Sequence, residues 1–140
     1  MQKVFLDTDV IMDFLTRRPP FAEDAMKIME YGNRNALGLH MSSLCLSNVH
    51  YLISRIENKM AAREKVKGIL QLVETLPVMK STIEKAAYSS FKDFEDAIQN
   101  FCAEENDLKI LITRNVKDYS ASNLAIQTPK EFVTIFEKQG

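Results

Sequence analysis

Cysteine and histidine are scarce in this chain, and their positions argue against the sites that these residues usually build. The 140 residues include two cysteines and two histidines. Cys45 and Cys102 lie far apart among apolar residues, which is typical of buried, reduced thiols rather than of a disulfide framework. His40 and His50 have no second ligand at helical spacing, so the sequence indicates no zinc site. Any bound metal must therefore be held by oxygen, which favours Mg²⁺ or Mn²⁺.

The sequence also lacks a long apolar run and a leader-like N-terminus. No run approaches the roughly 18 residues that span a bilayer, and the apolar stretch at residues 4–6 is too short for a signal peptide. The composition, 46% hydrophobic and 26% charged residues, is typical of a globular protein with one core. We therefore expect a single domain over residues 1–140, located in the cytoplasm, with no membrane partner.

A basic excess is missing as well. The formal net charge is −1, which argues weakly against a nucleic-acid partner, because such proteins usually carry a basic surplus. A carboxylate cluster that holds a divalent ion would also lower the formal charge. Among the basic residues, most of which we interpret as solvated surface, Arg114 and Lys117 stand out because they flank the candidate site described below.

Short apolar runs alternate with helical periodicities along the chain. The patterns predict strands at 3–6, 37–41, 76–79, 109–113 and 123–126, and helices at 10–16, 21–33, 43–56, 61–74, 81–89, 94–105 and from 129. Capping boxes at 81–84 and 128–131 indicate two of the helix starts. Strands that alternate with helices favour right-handed crossovers and a mostly parallel sheet covered on both faces. The sequence thus predicts an α/β domain of three layers.

Acidic and polar side chains from three segments should meet at one edge of this sheet. Asp7 follows the first strand, and the turn 113–118 follows the strand at 109–113. The helix before that strand runs antiparallel to it, so its first turn, with Asp93, Glu95 and Asp96, reaches the same edge. Ligands of open parallel sheets bind beyond the carboxyl ends of the strands. We therefore expect a site at this edge.

Clustered carboxylates resist joint ionisation unless a cation offsets their charge. Mg²⁺ or Mn²⁺ would do so, and could polarise a phosphodiester for in-line attack. Each polar residue also has an ordinary interpretation. Asp9 is favoured as the N-cap of the following helix, Asp93 alone as a helix cap, and Asn115 and Asp118 as turn formers. Only their convergence on one edge makes a functional site the better interpretation.

Five segments of this sequence together resemble the PIN-domain family. They are VFLDTDV at 4–10, SSLCLSNV at 42–49, DFEDA at 93–97, ITRNVKDY at 112–119, and RPPF at 18–21, which is similar to the Bacteroidetes-type branch. Each motif is weak alone, but their order and spacing cover nearly the whole chain. The resemblance implies a Rossmann-like fold with about five mostly parallel strands, and a metal-dependent endoribonuclease that uses Mg²⁺ or Mn²⁺.

The resemblance also implies roles for individual residues and for partners. Asp7, Asp96 and Asp118 are the expected catalytic acids, and the expected metal-binding set is Asp7, Asp93, Asp96, Asn115 and Asp118, with either Asn115 or Asp118 at the fourth position. Supporting roles fall to Thr8, Asn48 and Thr113, and RNA contacts to Arg114 and Lys117. Many relatives are VapC-type toxins, so a homodimer and a small antitoxin protein are expected beside RNA.

One position departs from the family pattern. The third helix commonly carries a glutamate where this chain has Ser47-Asn48, and an asparagine oxygen can bind Mg²⁺ but brings no charge. Asp93 is one candidate to compensate. Two outcomes stay open, a nuclease with a modified site and a catalytically weak or inactive PIN scaffold that binds RNA or a protein partner.

Two other enzyme classes begin with a strand and acids, and both fit less well. Haloacid dehalogenase-type phosphatases use Asp-x-Asp-x-Thr/Val, but the segment 7–11 ends in isoleucine and a late Gly-Asp pair is missing. Response-regulator receivers need an aspartate at the end of the third strand, where this chain has Val78-Met79-Lys80.

Overall fold

Strands and helices alternate along the computed structural model, which describes residues 1–139. Within this range there are five strands, seven α-helices and one 3₁₀ helix. They are β1 (Lys3–Leu6), α1 (Thr8–Thr16), α2 (Ala22–Asn33), β2 (Gly38–Ser42), α3 (Ser43–Ile56), α4 (Lys59–Leu72), β3 (Glu74–Leu76), α5 (Lys80–Ala87), α6 (Phe94–Glu105), β4 (Ile110–Ile112), the 3₁₀ helix (Val116–Tyr119), β5 (Ala125–Gln127) and α7 (Pro129–Gln139).

All strand pairs in the sheet are parallel, and the order is β3-β2-β1-β4-β5. The central strand β1 is apolar because both of its faces are covered: Val4, Phe5 and Leu6 have no exposed surface. The chain moves from β1 towards one edge and later returns beside β1 to form β4. Strand order therefore reverses between β1 and β4, where ligands of such sheets bind.

Helices cover both faces of the sheet, which confirms the predicted three-layer α/β class. Right-handed crossovers place α1 to α4 on one face and α5 and α6 on the other. Helix α7 packs against α2, and α5 packs against α6. The main core contains residues from all five strands or their flanks, and a smaller cluster formed by Ala86, Ala97 and Ile98 lies between α5 and α6. None of the helices within residues 1–139 combines the length and hydropathy needed to cross a membrane.

Side-chain caps explain where several helices begin. Asp93 Oδ1 accepts from the Asp96 N–H at 2.9 Å and starts α6, and Ser42 Oγ accepts from the Cys45 N–H at 3.0 Å at the start of α3. The predicted capping box before α7 is confirmed, because Thr128 and Glu131 each accept a hydrogen bond from the other's backbone N–H.

The third strand and the helix after it differ from the prediction. The strand is Glu74–Leu76 rather than 76–79, because it pairs with β2 in the register Ser42↔Leu76 and Pro77 has no N–H to extend the ladder. The predicted capping box at 81–84 is also wrong. Thr82 Oγ1 accepts the Met79 N–H at 2.9 Å, whereas Ser81 donates to Glu105 at 2.6 Å.

Three further element boundaries differ by a few residues from the prediction, because caps and strand register determine where the elements begin and end. Helix α1 begins at Thr8 and not at residue 10, because Asp7 caps it. Helix α4 spans Lys59–Leu72 rather than 61–74, because Asn58 Oδ1 caps it through the Ala61 N–H at 2.8 Å. The last strand is Ala125–Gln127 rather than 123–126. Caps and register, which depend on contacts, set these ends more than hydrophobic periodicity does.

Candidate active site

A cavity of about 880 Å³ opens at the carboxyl end of β1, beside the point where strand order reverses. Its wall is formed by α1, α3, the first turn of α6 and the loop after β4. Its lining includes the polar residues Asp7, Thr8, Asp9, Asp13, Asn48, Glu95, Asp96, Gln99, Arg114 and Asn115, together with apolar residues of α1 and α3. The predicted convergence of acids at this edge is therefore found in the structure.

Asp7 is held by several hydrogen bonds at the carboxyl end of β1 and is only 8% exposed. Its Oδ1 accepts from the Thr8 N–H at 2.8 Å, which makes it the N-cap of α1. Its Oδ2 accepts from Thr113 Oγ1 and Tyr119 Oη, both at 3.0 Å. Burial nevertheless outweighs these donors and raises the pKa of Asp7 above its ordinary value.

Asp9 belongs to the cavity, and its predicted role as the N-cap is wrong. It lies in the first turn of α1, and its Oδ2 accepts from the Arg114 N–H at 3.0 Å and from Asn115 Nδ2 at 3.2 Å. Thr113 Oγ1 lies 3.3 Å from the same oxygen, although its single proton can serve only Asp7 or Asp9 at one time. Asp9 Oδ1 is buried and has no hydrogen-bond partner within residues 1–139. Burial, followed by the charge of Asp7, raises the pKa of Asp9 to about 7.

Asp96 reaches the cavity from the first turn of α6. Burial raises its pKa to about 7, and the negative charges of Asp7, Asp93 and Asp118 act in the same direction. The cap that orients this turn is Asp93, whose Oδ1 is bound to the Asp96 N–H. Asp7 and Asp96 thus face one cavity and feel each other's charge, as the sequence predicts.

The other predicted polar residues divide into two groups. Thr8, Asn48 and Asn115 line the cavity, and Thr113, fully buried beneath it, binds the carboxylates. Exposed residues outside the lining are Asp93, Lys117 and Asp118. Asp118, on the 3₁₀ helix, is close enough for its charge to raise the pKa of Asp7 and Asp96.

Arg114 lines the cavity, but its guanidinium is bound within the protein. It lies 4.2 Å above the centroid of the Phe21 ring and holds both oxygens of Asp13. Asp13, which is 2% exposed, is not among the site residues predicted from the sequence. A signal was present, because Asp9 and Asp13 stand four residues apart and therefore share one face of α1. An acid on a mostly apolar helix needs a buried partner.

The donors in this cavity fit a hard divalent cation better than a soft metal. They are carboxylate and amide oxygens, and no three His, Cys, Asp or Glu side chains within residues 1–139 converge into a preformed metal cage. The unpartnered Asp9 Oδ1 and the raised pKa values indicate negative charge that protein groups do not fully offset. Mg²⁺ commonly binds to one or two carboxylates and keeps several waters, so a ready-made cage is not required.

The cysteines and the buried histidine lie outside this chemistry. Both cysteines are free and buried, and burial raises the pKa of Cys45 to about 12 and of Cys102 to about 11, so neither is a thiolate near neutral pH. His40 Nδ1 donates to the Val4 carbonyl at 3.3 Å, and its Nε2 lies 3.2 Å from Glu74 across the β2–β3 pair.

Comparison with known proteins finds both a similar sequence and similar folds. A curated relative, Ribonuclease VapC1 of Aquifex aeolicus, is 28% identical over 136 residues, which cover 94% of this chain and 93% of the relative. Among solved structures, VapBC2 of Rickettsia felis, bound to a DNA fragment from its promoter, has a TM-score of 0.72 at 16% identity, over 91% of this chain and 98% of that one. A toxin–antitoxin complex from Klebsiella pneumoniae has a TM-score of 0.68 at 21% identity, over 90% and 97%.

The structural neighbours establish the fold, and the family is established by the sequence itself. The family model described as "PIN domain" matches residues 3–117, which include Asp7, Asp9, Asn48, Asp96 and Asn115. The match covers most of the chain and includes the five acidic residues that line the cavity. On this evidence the chain belongs to the PIN-domain family.

Proposed function

We propose that this chain is a metal-dependent endoribonuclease that hydrolyses RNA phosphodiester bonds. The observation that carries the proposal is the meeting of Asp7 and Asp96, from β1 and α6, in one cavity at the switch point of the sheet. RNA is proposed as the substrate class because a relative that aligns with 94% of this chain is a ribonuclease. Phosphodiester hydrolysis needs mainly positioning and charge stabilisation, which acids around a cation supply without a protein nucleophile.

In this proposal Mg²⁺ or Mn²⁺ is held by Asp7 and Asp96. A bound ion supplies Lewis-acid polarisation of the phosphodiester and offsets the charge of the carboxylates. The protein residues fix its surroundings: Thr113 and Tyr119 hold Asp7 in position, and Asp93 fixes the first turn of α6. Thr8 also helps to hold Asp7 in position, because its backbone N–H donates a hydrogen bond to Asp7 Oδ1.

Asn115 is the better candidate for the fourth polar position of the site. It lines the cavity and reaches Asp9, whereas Asp118 lies outside the lining and acts through its charge. RNA contacts are proposed for Lys117, which is exposed next to the site, and for the exposed part of Arg114. A cation beside the cavity would attract the phosphate backbone.

A second candidate function is a catalytically weak or inactive scaffold that binds RNA or a protein partner. The observation that favours it is Asn48, which presents a neutral amide to the cavity where the family commonly has a glutamate. Loss of one charge lowers affinity for a divalent ion. Both proposed functions use the same cavity. They differ in one measurable property, which is metal-dependent cleavage of RNA.

The partners proposed for this chain are a small antitoxin protein and a second copy of the chain. The antitoxin proposal rests on the likeness to one chain of a toxin–antitoxin complex, 97% of which aligns with this chain. Light scattering of the purified protein measures whether a dimer forms.

Expression of the wild-type chain should arrest growth if it is a toxin, and unchanged growth at high expression would argue against that role.

The enzymatic proposal is tested with Asp7→Asn. The substitution removes a charge but preserves the shape of the side chain, so we expect a folded protein without metal-dependent cleavage of RNA. An unchanged cleavage rate would remove Asp7 from the mechanism.

Lys117→Ala should weaken RNA binding and its salt dependence while leaving metal binding intact.

A further inference from the structure

We propose that Asp9 is a direct ligand of the divalent ion and supplies the carboxylate that position 48 lacks. The inference rests on the proposed function, because it concerns the same ion. It goes further in naming a residue whose sequence position indicated only a helix cap. The charge of the site would then come from α1, beside Asp7, instead of from α3.

The hydrogen bonds of Asp9 are unevenly distributed between its two oxygens. Oδ2 accepts from the Arg114 N–H, from Asn115 Nδ2 and, when its proton is so oriented, from Thr113 Oγ1. Oδ1 is buried and has no hydrogen-bond partner among the residues that the structure describes. A buried carboxylate oxygen that is left unpaired is costly. A cation bound among the acidic residues of the cavity would supply the missing interaction.

The orientation of Asp9 is fixed by contacts between α1 and the loop after β4. The loop that carries its three donors, residues 113–115, is anchored by the Arg114 side chain, which binds Asp13 and packs on Phe21. Asp13 lies one helical turn after Asp9 on α1, so helix and loop are joined beside the ligand. The Arg114–Asp13 pair therefore holds the free oxygen of Asp9 in one place before any ion binds.

The charges around the cavity also favour a bound cation. Five carboxylates line it, those of Asp7, Asp9, Asp13, Glu95 and Asp96, and only two guanidinium groups, those of Arg18 and Arg114. The Arg114 charge is matched by Asp13 at 2.6 Å. The remaining acids outnumber the remaining cation, and a divalent ion offsets that excess without a carboxylate at Asn48.

The substitution Asp9→Asn separates a ligand role from a structural one. The asparagine oxygen can accept the three hydrogen bonds that Oδ2 receives, which places the NH₂ group where the free Oδ1 lies. An amide nitrogen does not bind Mg²⁺ or Mn²⁺. The variant thus keeps the loop in place and removes only the charge and the free ligand atom.

Mn²⁺ binding to the purified, metal-free chain is measured by calorimetry and by electron paramagnetic resonance of free Mn²⁺, without any assay of cleavage. The variants are Asp7→Asn, Asp9→Asn and, as a matched control, Asp107→Asn, an exposed turn residue at the opposite edge of the sheet. We expect Asp9→Asn to weaken Mn²⁺ binding by at least about tenfold. Asp107→Asn should bind like the wild type.

The outcomes distinguish this inference from the function on which it rests. Affinity of Asp9→Asn within twofold of the wild type, beside a clear loss in Asp7→Asn, would overturn the role of Asp9 and leave the nuclease proposal standing. Absence of Mn²⁺ binding by the wild-type chain would overturn both. A loss in both variants, with the control unchanged, supports Asp9 as a ligand.

Discussion

The guanidinium of Arg114 binds both carboxylate oxygens of Asp13, with Nε–Oδ2 and Nη2–Oδ1 distances of 2.6 and 3.2 Å. Asp13 is 2% exposed, and the Arg114 side chain is 22% exposed. The pair links α1 to the loop after β4, and that loop also supplies hydrogen bonds to Asp9. A single buried ion pair thus connects the stability of the fold to the geometry of the site.

Removal of the arginine should therefore destabilise the protein strongly. Arg114→Ala leaves Asp13 as a buried charge without its partner, and we expect the free energy of unfolding to fall by about 3 kcal/mol. Urea denaturation at pH 7 measures the change. Arg34→Ala is the matched control, because Arg34 also lies over an aromatic ring, that of Tyr31, and pairs with Glu30, but both charged side chains are more than half exposed.

The control variant should change the free energy of unfolding by less than about 1 kcal/mol, as exposed ion pairs usually do. Similar losses in Arg114→Ala and Arg34→Ala would show that burial of the Asp13 pair has no special energetic role. In that case the anchoring of the loop would need another explanation.

The metal-free protein should lose stability as the pH rises from about 4 to about 7. Asp9 and Asp96 have pKa values of about 7 in the folded chain, against an ordinary value of 3.8. Between these values the folded state binds more protons than the unfolded state, so the free energy of unfolding decreases with pH. Urea denaturation in the presence of chelator, at intervals from pH 5 to pH 8, measures the slope.

Asp9→Asn should flatten this slope and make the metal-free protein more stable than the wild type at pH 8. Asp107→Asn, which removes an exposed carboxylate at the opposite edge, should retain the wild-type slope. A wild-type free energy of unfolding that stays constant or rises over this range would contradict the raised pKa values of the two acids.

Hydrophobic periodicity predicted the three layers of this fold. Together with the sheet topology, it also predicted the edge of the sheet at which the acidic residues lie. Helices α3 and α6 have the predicted bounds, and Asp7 and Asp96 meet because the topology of a parallel sheet brings strand ends and helix starts together. Edge strand β3 was misplaced because Glu74 and Thr75 are exposed and polar, so only its pairing with β2 defines it. The pattern of apolar residues does not indicate the register in which β3 pairs with β2.

The local sequence could not identify the hydrogen-bond partners of Asp9 and Asp13. Both depend on the path of the loop at 113–115, more than a hundred residues later in the chain. A carboxylate in the first turn of a helix ordinarily interacts with the helix N-terminus, which made a cap the simplest interpretation of Asp9. Long-range contacts with backbone N–H groups and guanidinium groups are visible only in the folded chain.

Asn48→Glu should tighten binding of the divalent ion. The residue lines the cavity from α3, so a carboxylate there joins those of Asp7, Asp9 and Asp96. We expect Mn²⁺ affinity to rise by about tenfold, because affinity for hard cations increases with ligand charge. The matched control is Asn48→Gln, which has the same added length without the charge and should not gain affinity. Equal affinities of the two variants would contradict an ion near position 48.

Tyr119→Phe should weaken the support of Asp7. The phenol donates to Asp7 Oδ2 at 3.0 Å in a buried environment, and the ring packs edge-on against Phe91. Loss of one donor to a buried carboxylate should lower the free energy of unfolding by about 2 kcal/mol. Tyr88→Phe, at a tyrosine that is 90% exposed, should leave stability unchanged. A neutral effect at Tyr119 would mean that Asp7 does not depend on this hydrogen bond.

Cleavage of a mixed pool of structured and single-stranded RNA tests the central claim most directly. The purified wild type and Asp96→Asn are compared with Mn²⁺, with Mg²⁺ and with excess chelator, after circular dichroism has shown that both are folded. We expect cleavage by the wild type that needs metal, and none by Asp96→Asn under any condition. Wild-type cleavage that persists in chelator, or an Asp96→Asn variant that cleaves at the wild-type rate, would contradict it.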